Sequence, residues 1–256
     1  AYASTMFAGF LTYGVCAYFF PKVLVGQLTQ VETPKEVLKT YFTIEMPPVV
    51  GVITALLLSF VIGIGLSLVP RGVLRKGFIE FRTLIRVVVI VLILEVVILL
   101  TQYFVAGAVG RVNPFKAIFT MLPAYLTALG TSSSAATIHV TLRQTRKNGV
   151  SDAVSSFTIP LCATIHLAGS TSKIFAFAFA IVYTQGMTVT TTQWVGFIFM
   201  LGITMVAAPG VPGGAIMAAT GILQSMLGFD DSAVALMIAT YIALDSFGTA
   251  TNVTGD

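Results

Sequence analysis

Thr131-Ser132-Ser133-Ser134-Ala135-Ala136, a run of hydroxyl and small side chains, stands in the middle of the apolar stretch 117–140. A second interruption, Pro209-Gly210-Val211-Pro212-Gly213-Gly214, parts the apolar runs 195–208 and 215–227. In a soluble protein both would be ordinary loops. Here 56% of residues are hydrophobic and only 9% charged, against about 25% charged in a soluble domain, so the chain is expected to be a membrane protein. Lipid cannot satisfy the N–H and C=O groups of irregular backbone, so both breaks must be buried in protein or line a cavity.

The apolar segments are residues 6–20, 47–69, 84–109, 117–140, 157–183, 195–208, 215–227 and 233–250. A spanning helix needs about 20 such residues, a length that 47–69, 84–109 and 157–183 reach. The serines divide 117–140 into halves too short to span, which predicts two half-helices entering and leaving on one side. Residues 195–227 predict a span followed by a second hairpin broken at 210–214. Paired breaks of this kind point to a transporter's binding site. Residues 2–20 are apolar but lack a basic leader and a small-residue cleavage site, so they read as a span already under way.

The net charge of +4 is no nucleic-acid footprint, because the basic residues cluster between spans. Arg71, Arg75, Lys76, Arg82 and Arg86 form one group, Arg111 and Lys116 a second, and Arg143, Arg146 and Lys147 a third. Short loops of this type face the cytoplasm, which predicts a multi-pass protein of the cell's inner membrane. Residues 84–109 carry basic groups at both ends, which one crossing does not satisfy. Either the rule is broken here or a crossing near Arg86–Ile93 is missing from the chain, with both ends trimmed as well. Cys16 and Cys162 sit in apolar runs and supply no disulfide framework. Trp194 and Tyr183 fit an interfacial aromatic belt. No metal-ligand cluster, nucleophile–base pair or phosphate loop stands in the sequence, so an enzyme is not expected.

Three motifs together resemble the dicarboxylate/amino acid:cation symporter family, which has the glutamate-transporter fold. The Thr131–Ser134 run resembles its first hairpin tip, and Pro209–Gly214 its second. Leu244-Asp245, followed by Asn252-Val253-Thr254-Gly255-Asp256, resembles its last core helix. The likeness covers residues 113–256, more than half of the chain. It implies an all-α polytopic membrane protein with two re-entrant helical hairpins and broken core helices. In that reading residues 1–20 are a transport-domain helix, and 21–112 are mainly scaffold and connecting helices. Residues 113–256 are the transport core: first hairpin 113–142, broken helix 154–184, second hairpin 192–228, last helix 232–256. The resemblance further implies a homotrimer whose transport domains slide through the lipid like elevators, with the second hairpin as outer gate.

Asp245 is a carboxylate inside a span, an expensive placement that marks function by default; the resemblance makes it the partner of a substrate ammonium group. Thr249, Ser170 and Asn252 are expected beside it. Ser133 and Ser134 would offer hydroxyls and N–H groups to a carboxylate at a half-helix N-terminus, where the dipole favours anions. Gly210, Val211 and Gly213 would gate the site. Asp256, Asn252 and backbone around Ala163–His166 would hold a cation, and Tyr2 with Thr5 resembles an amino-terminal contribution to a further one. Sodium is the expected ion, with protons as the alternative.

Departures from the family pattern carry as much information. Acidic-substrate members place an arginine three residues after the helix aspartate, or just before the hairpin serines; here these positions are Gly248 and Ser132. Without a guanidinium, a second substrate carboxylate has no bidentate partner, so a small neutral amino acid such as alanine, serine or threonine is expected. The family's Asn-Met-Asp-Gly-Thr break reads His166-Leu167-Ala168-Gly169-Ser170, so one cation-binding carboxylate has become Ala168, and unwinding is expected at Gly169. His166 and Lys173 are ionisable groups inside the same span; His166 could titrate near neutrality, and Lys173 could stand as a built-in positive charge, snorkel or pair with a scaffold group. Glu95 is unexplained beyond distant pairing with Arg86, contact with another subunit or protonation. The rival readings are an acidic amino acid or dicarboxylate symporter, a proton-coupled transporter, a passive channel of the same fold, and a transporter-derived receptor.

Overall fold

The computed structural model describes residues 2–28 and 71–256, with side chains for 2–22 and 85–256. The expected span 47–69 lies outside the described residues. The described chain is helical, with no strand among its elements. Two compact units divide it: residues 1–22 with 87–256, and residues 23–86. The first unit carries everything that follows. Residues 87–110, read from sequence as scaffold, fall within it.

Helix α1 runs Tyr2–Leu28 and α2 runs Arg71–Gly110 without interruption. Residues Tyr2–Lys22, Ile85–Gly110 and Asp152–Thr184 are long and apolar enough to cross a membrane. Helix α3, Pro114–Thr131, starts where the Asn113 side chain accepts from the N–H groups of Phe115 (3.0 Å) and Lys116 (3.2 Å), with Pro114 at the first helical position. It stops at Ser132, which turns left-handed at φ 49°. Helix α4, Ser134–Lys147, begins at once because Ser133 Oγ accepts from Ala136 N at 3.2 Å. The serine run therefore ends one helix and caps the next.

Helices α5, Asp152–Ile165, and α6, Ala168–Thr184, are separated by His166-Leu167. The break falls before Gly169, the position expected to unwind, and Gly169 lies in the first turn of α6. The cause is a cap from another helix: Asn252 Oδ1 accepts from Gly169 N at 2.8 Å and from Ser170 N at 3.4 Å. Helix α7, Thr191–Val206, opens with a capping box between Thr190 and Gln193. Helix α8, Gly214–Leu227, ends at left-handed Gly228.

The last helix, read from sequence as residues 232–256 of a fold with broken core helices, is two helices. Helix α9, Asp231–Ala243, and α10, Asp245–Gly255, meet at Leu244 with a bend of 62°. The bend lowers Asp245 to the start of a fresh helix. Helix α6 is buried along nearly its whole length, with Ile174, Phe175 and Ala176 fully so. Trp194 is no belt residue: it is 4% exposed and sits among Phe175, Phe179 and Phe197 at centroid distances of 5.0, 5.1 and 6.1 Å. These rings bury large apolar area and favour the tilted and edge-on geometries seen.

Candidate substrate and cation site

The two interruptions meet. Ser133 Oγ donates to Gly210 O at 3.0 Å, and Ala135 N donates to the same oxygen at 3.1 Å. Gly210 is required there by space, because a Cβ on it would run into Ala163 O of α5. Beneath the joined tips lies a small cavity, about 210 Å³ of space between atoms. It is lined by Ser132, Ser134, Leu167, Ser170, Pro209, Gly210, Val211, Ala215, Tyr241, Asp245, Thr249 and Asn252.

Asp245 sits at the cavity's floor, 5% exposed, and both its oxygens are engaged. Oδ2 accepts from Gly213 N at 2.7 Å, which ties the second tip to α10. Gly213 adopts φ 72°, the left-handed region that glycine enters without a Cβ penalty. Oδ1 pairs with Lys173 Nζ at 3.1 Å. The Tyr241 phenol is a further hydrogen-bond partner of this carboxylate, whose roughly four acceptor positions are not all filled by these donors. Lys173 itself is 0% exposed and stands behind Asp245, outside the cavity lining. It does not snorkel.

The positions expected around a substrate divide in two. Ser134, Ser170, Val211, Asp245, Thr249 and Asn252 line the cavity. Ser133 and Gly213 do not; the Ser133 hydroxyl turns to Gly210 O, and Gly213 reaches Asp245 by its N–H. Asn252 joins the parts, since its Nδ2 donates to Ser170 Oγ at 2.9 Å while its Oδ1 caps α6.

A second polar cluster lies next to it. His166 Nδ1 is 3.0 Å from Asp256 Oδ1 and 3.2 Å from Asn252 O. The imidazole thus sits on two of the oxygens expected to hold a cation. Its Nε2 meets Ser4 Oγ at 2.9 Å and Gln102 Nε2 at 3.3 Å. Thr5 is 1% exposed on the next position of α1. Tyr2 and Ala163 are directed elsewhere: the Tyr2 ring lies against Gly202 and is 41% exposed, and Ala163 O faces Gly210. Ser4, two positions on, is the α1 side chain that reaches Gln102 of α2 and His166. The donor chemistry at Asp256 and Asn252, hard oxygens, suits sodium. Among the described residues no group of three or more His, Cys, Asp or Glu gathers as for a transition metal.

Glu95 is 3% exposed, and its Oε2 lies against Gly169, beside Thr251. It faces the interior of its own unit. Ser4, Gln102 and Tyr241 are contributors that sequence reading passed over. Gln102 had a signal, an amide inside a very apolar span. Ser4 and Tyr241 had none, being one hydroxyl and one aromatic among many.

Comparison with known proteins places the sequence in a family. The model of the sodium:dicarboxylate symporter family matches residues 69–256. The human excitatory amino acid transporter 1 is 32% identical over 173 residues, 67% of this chain and 31% of that protein. The mouse excitatory amino acid transporter 3 is 34% identical over 163 residues, 63% of this chain and 30% of that one. The human excitatory amino acid transporter 2 is 32% identical over 155 residues, 60% and 26% of the two chains. The matched segment thus spans about a third of these relatives' length. With the paired tips, the bent final helices and the carboxylate between them all in the matched region, the chain belongs to the sodium:dicarboxylate symporter family.

Proposed function

We propose that the chain is the core of a sodium-coupled symporter of small neutral amino acids. One observation carries the reading: the cavity under the joined tips holds Asp245 and several hydroxyls, and none of its described lining residues is cationic. A substrate ammonium would take what acceptor capacity Asp245 has left toward the cavity. Its carboxylate would take the Ser134 hydroxyl at the start of α4, where the helix dipole favours an anion even though Ala135 N and Ala136 N are already bonded. Thr249, Ser170, Asn252 and the tip residue Val211 would complete the seat, with Gly213 and Ser133 holding the gate. A second substrate carboxylate would be buried without a partner, at a cost of several kcal/mol.

Asp256 and the Asn252 carbonyl would hold one sodium ion, which supplies the driving gradient. His166 occupies those oxygens here and has to yield them, and Ala168 offers no carboxylate for another ion. Thr5 and Ser4 are the nearest hydroxyls of α1. By family resemblance the working unit is a homotrimer in the cell membrane, and the tips are re-entrant hairpins of an elevator-type transport domain. A second reading, proton coupling, rests on His166 bridging Asp256 and Ser4.

The test is uptake of labelled alanine into proteoliposomes of the full-length protein under an inward sodium gradient, an inward proton gradient, or none. Sodium-driven uptake competed by serine and not by glutamate is the expected result. Glutamate competing as well as serine overturns the neutral specificity. Uptake driven by protons alone transfers coupling to His166, and uptake indifferent to any gradient makes the fold a passive conductor.

A further inference from the structure

We infer that Lys173 is a tethered cation: its ammonium fills a monovalent-cation seat made by Leu244 O, Asp245 O and Asp245 Oδ1. The inference deepens the reading of Asp245 as the substrate's ammonium partner and rests on it for its consequence, though not for its geometry.

The three oxygens lie 3.2, 3.2 and 3.1 Å from Nζ. An ammonium has three protons to donate, one for each of these acceptors. The acceptors are two carbonyls where α9 ends and α10 begins, plus one carboxylate. Carbonyls at a helix C-terminus and at a break carry the negative end of the dipole and are what membrane transporters use to coordinate small cations. The Tyr241 ring closes the remaining side, with Nζ 4.1 Å from its centroid, an attractive placement for a cation. The acidic groups facing Lys173 are Asp245 on α10 and Glu95 on α2, with the Tyr241 phenol on α9.

The seat is shaped for this side chain. A Cβ on Gly248 would fall on Lys173 Cε and stand 2.6 Å from Nζ. The lysine stem therefore occupies the room that any other residue at position 248 would claim. Gly248 and Lys173 form one device, whose halves sequence reading saw separately, as a missing arginine and as a built-in positive charge. Its consequence is that Asp245 is charge-balanced by the chain itself, so that seat needs no free ion and substrate binding at Asp245 draws on one external cation fewer.

The experiment uses the full-length protein in detergent, wild type and Lys173→Ala, with thermal unfolding followed in potassium, n-butylammonium and choline chlorides at fixed sodium. n-Butylammonium carries the deleted stem and charge; n-butanol carries the stem alone. Expected is a wild-type midpoint indifferent to the choice, and a Lys173→Ala midpoint lower by several degrees that n-butylammonium or potassium restores while choline and butanol do not. A Lys173→Ala midpoint equal to wild type, or lowered and insensitive to every cation, overturns the inference. If Lys173→Ala yields no folded protein, Lys173→Met combined with Asp245→Asn removes both charges together; recovery of folding supports the pairing, and failure overturns it. Alanine binding by wild type is measured in parallel. Its absence would sink the amino acid reading and leave the unfolding comparison intact, so the two failures are distinguishable.

Discussion

Asp245 concentrates more of the site's chemistry than any other residue, because one side chain is bound by a tip N–H, a buried ammonium and an open cavity. Removing one member of a buried pair leaves the other uncompensated, at about 3–5 kcal/mol. Asp245→Asn is therefore expected to abolish amino acid binding and to lower stability by about that amount; calorimetric binding with a chemical unfolding series reads both, and retained alanine affinity would reject the assignment. Gly213 separates backbone from side-chain effects. Its φ is 72° and nothing lies within 4 Å of a Cβ placed there, so Gly213→Ala meets conformational strain alone, about 1–2 kcal/mol. The expected outcome is a gate that stays open more of the time, seen as a faster substrate off-rate with little change in global stability. Asp245 and Gly213 were both legible in sequence, one as a charge in a span and the other as a tip glycine. Lys173 was legible as an anomaly and not as a partner, because the pairing needs Gly248 on another helix to vacate space, and that is a tertiary fact.

At the scale of elements, the serine run and the final bend show what local signals can and cannot place. Ser133 announced a helix start, and the α4 cap forms as the capping preference dictates. Ser133→Ala removes both that cap and one bond to Gly210 O. A loss of about 1 kcal/mol, with faster amide exchange at Ala136 and around the second tip, is expected. Exchange unchanged at the second tip would mean that Ala135 N alone holds it. The break before α6 was displaced from its expected place because Asn252, 83 positions away, caps Gly169. Likewise nothing local marks Leu244 as a bend: residues 233–250 read as one apolar run. At the bend, Leu244 O and Asp245 O both accept from Lys173 Nζ of α6. Helix breaks made by long-range caps are invisible to periodicity.

For the molecule as a whole, composition foretold a helical membrane protein, and the described chain is helical with apolar side chains turned outward. Phe119 and Phe157 are 72% and 71% exposed, facing outward from α3 and α5. Phe119→Asp places a charge where lipid or another apolar surface belongs, at about 2.5–3.5 kcal/mol. Reduced membrane insertion or assembly is expected, with Phe119→Leu near wild type; equal yields of both variants in membranes would show that this surface meets water. Domain organisation was harder to read. Residues 87–110 resemble any apolar span, yet Gln102 and Tyr103 bind Ser4 and Thr254 O and bring that stretch into the core unit. Sequence shows that a span is apolar; it does not show which neighbour claims it.

The bonds between the tips have one acceptor atom in common. Gly210 O receives both Ser133 Oγ and Ala135 N, so withdrawing that single carbonyl releases two donors in the same event. Where opening is the withdrawal of that carbonyl, both of these bonds between the first tip and the second are lost together. Opening is then expected to follow one rate with one activation step, and a probe on either tip would report the same time constant.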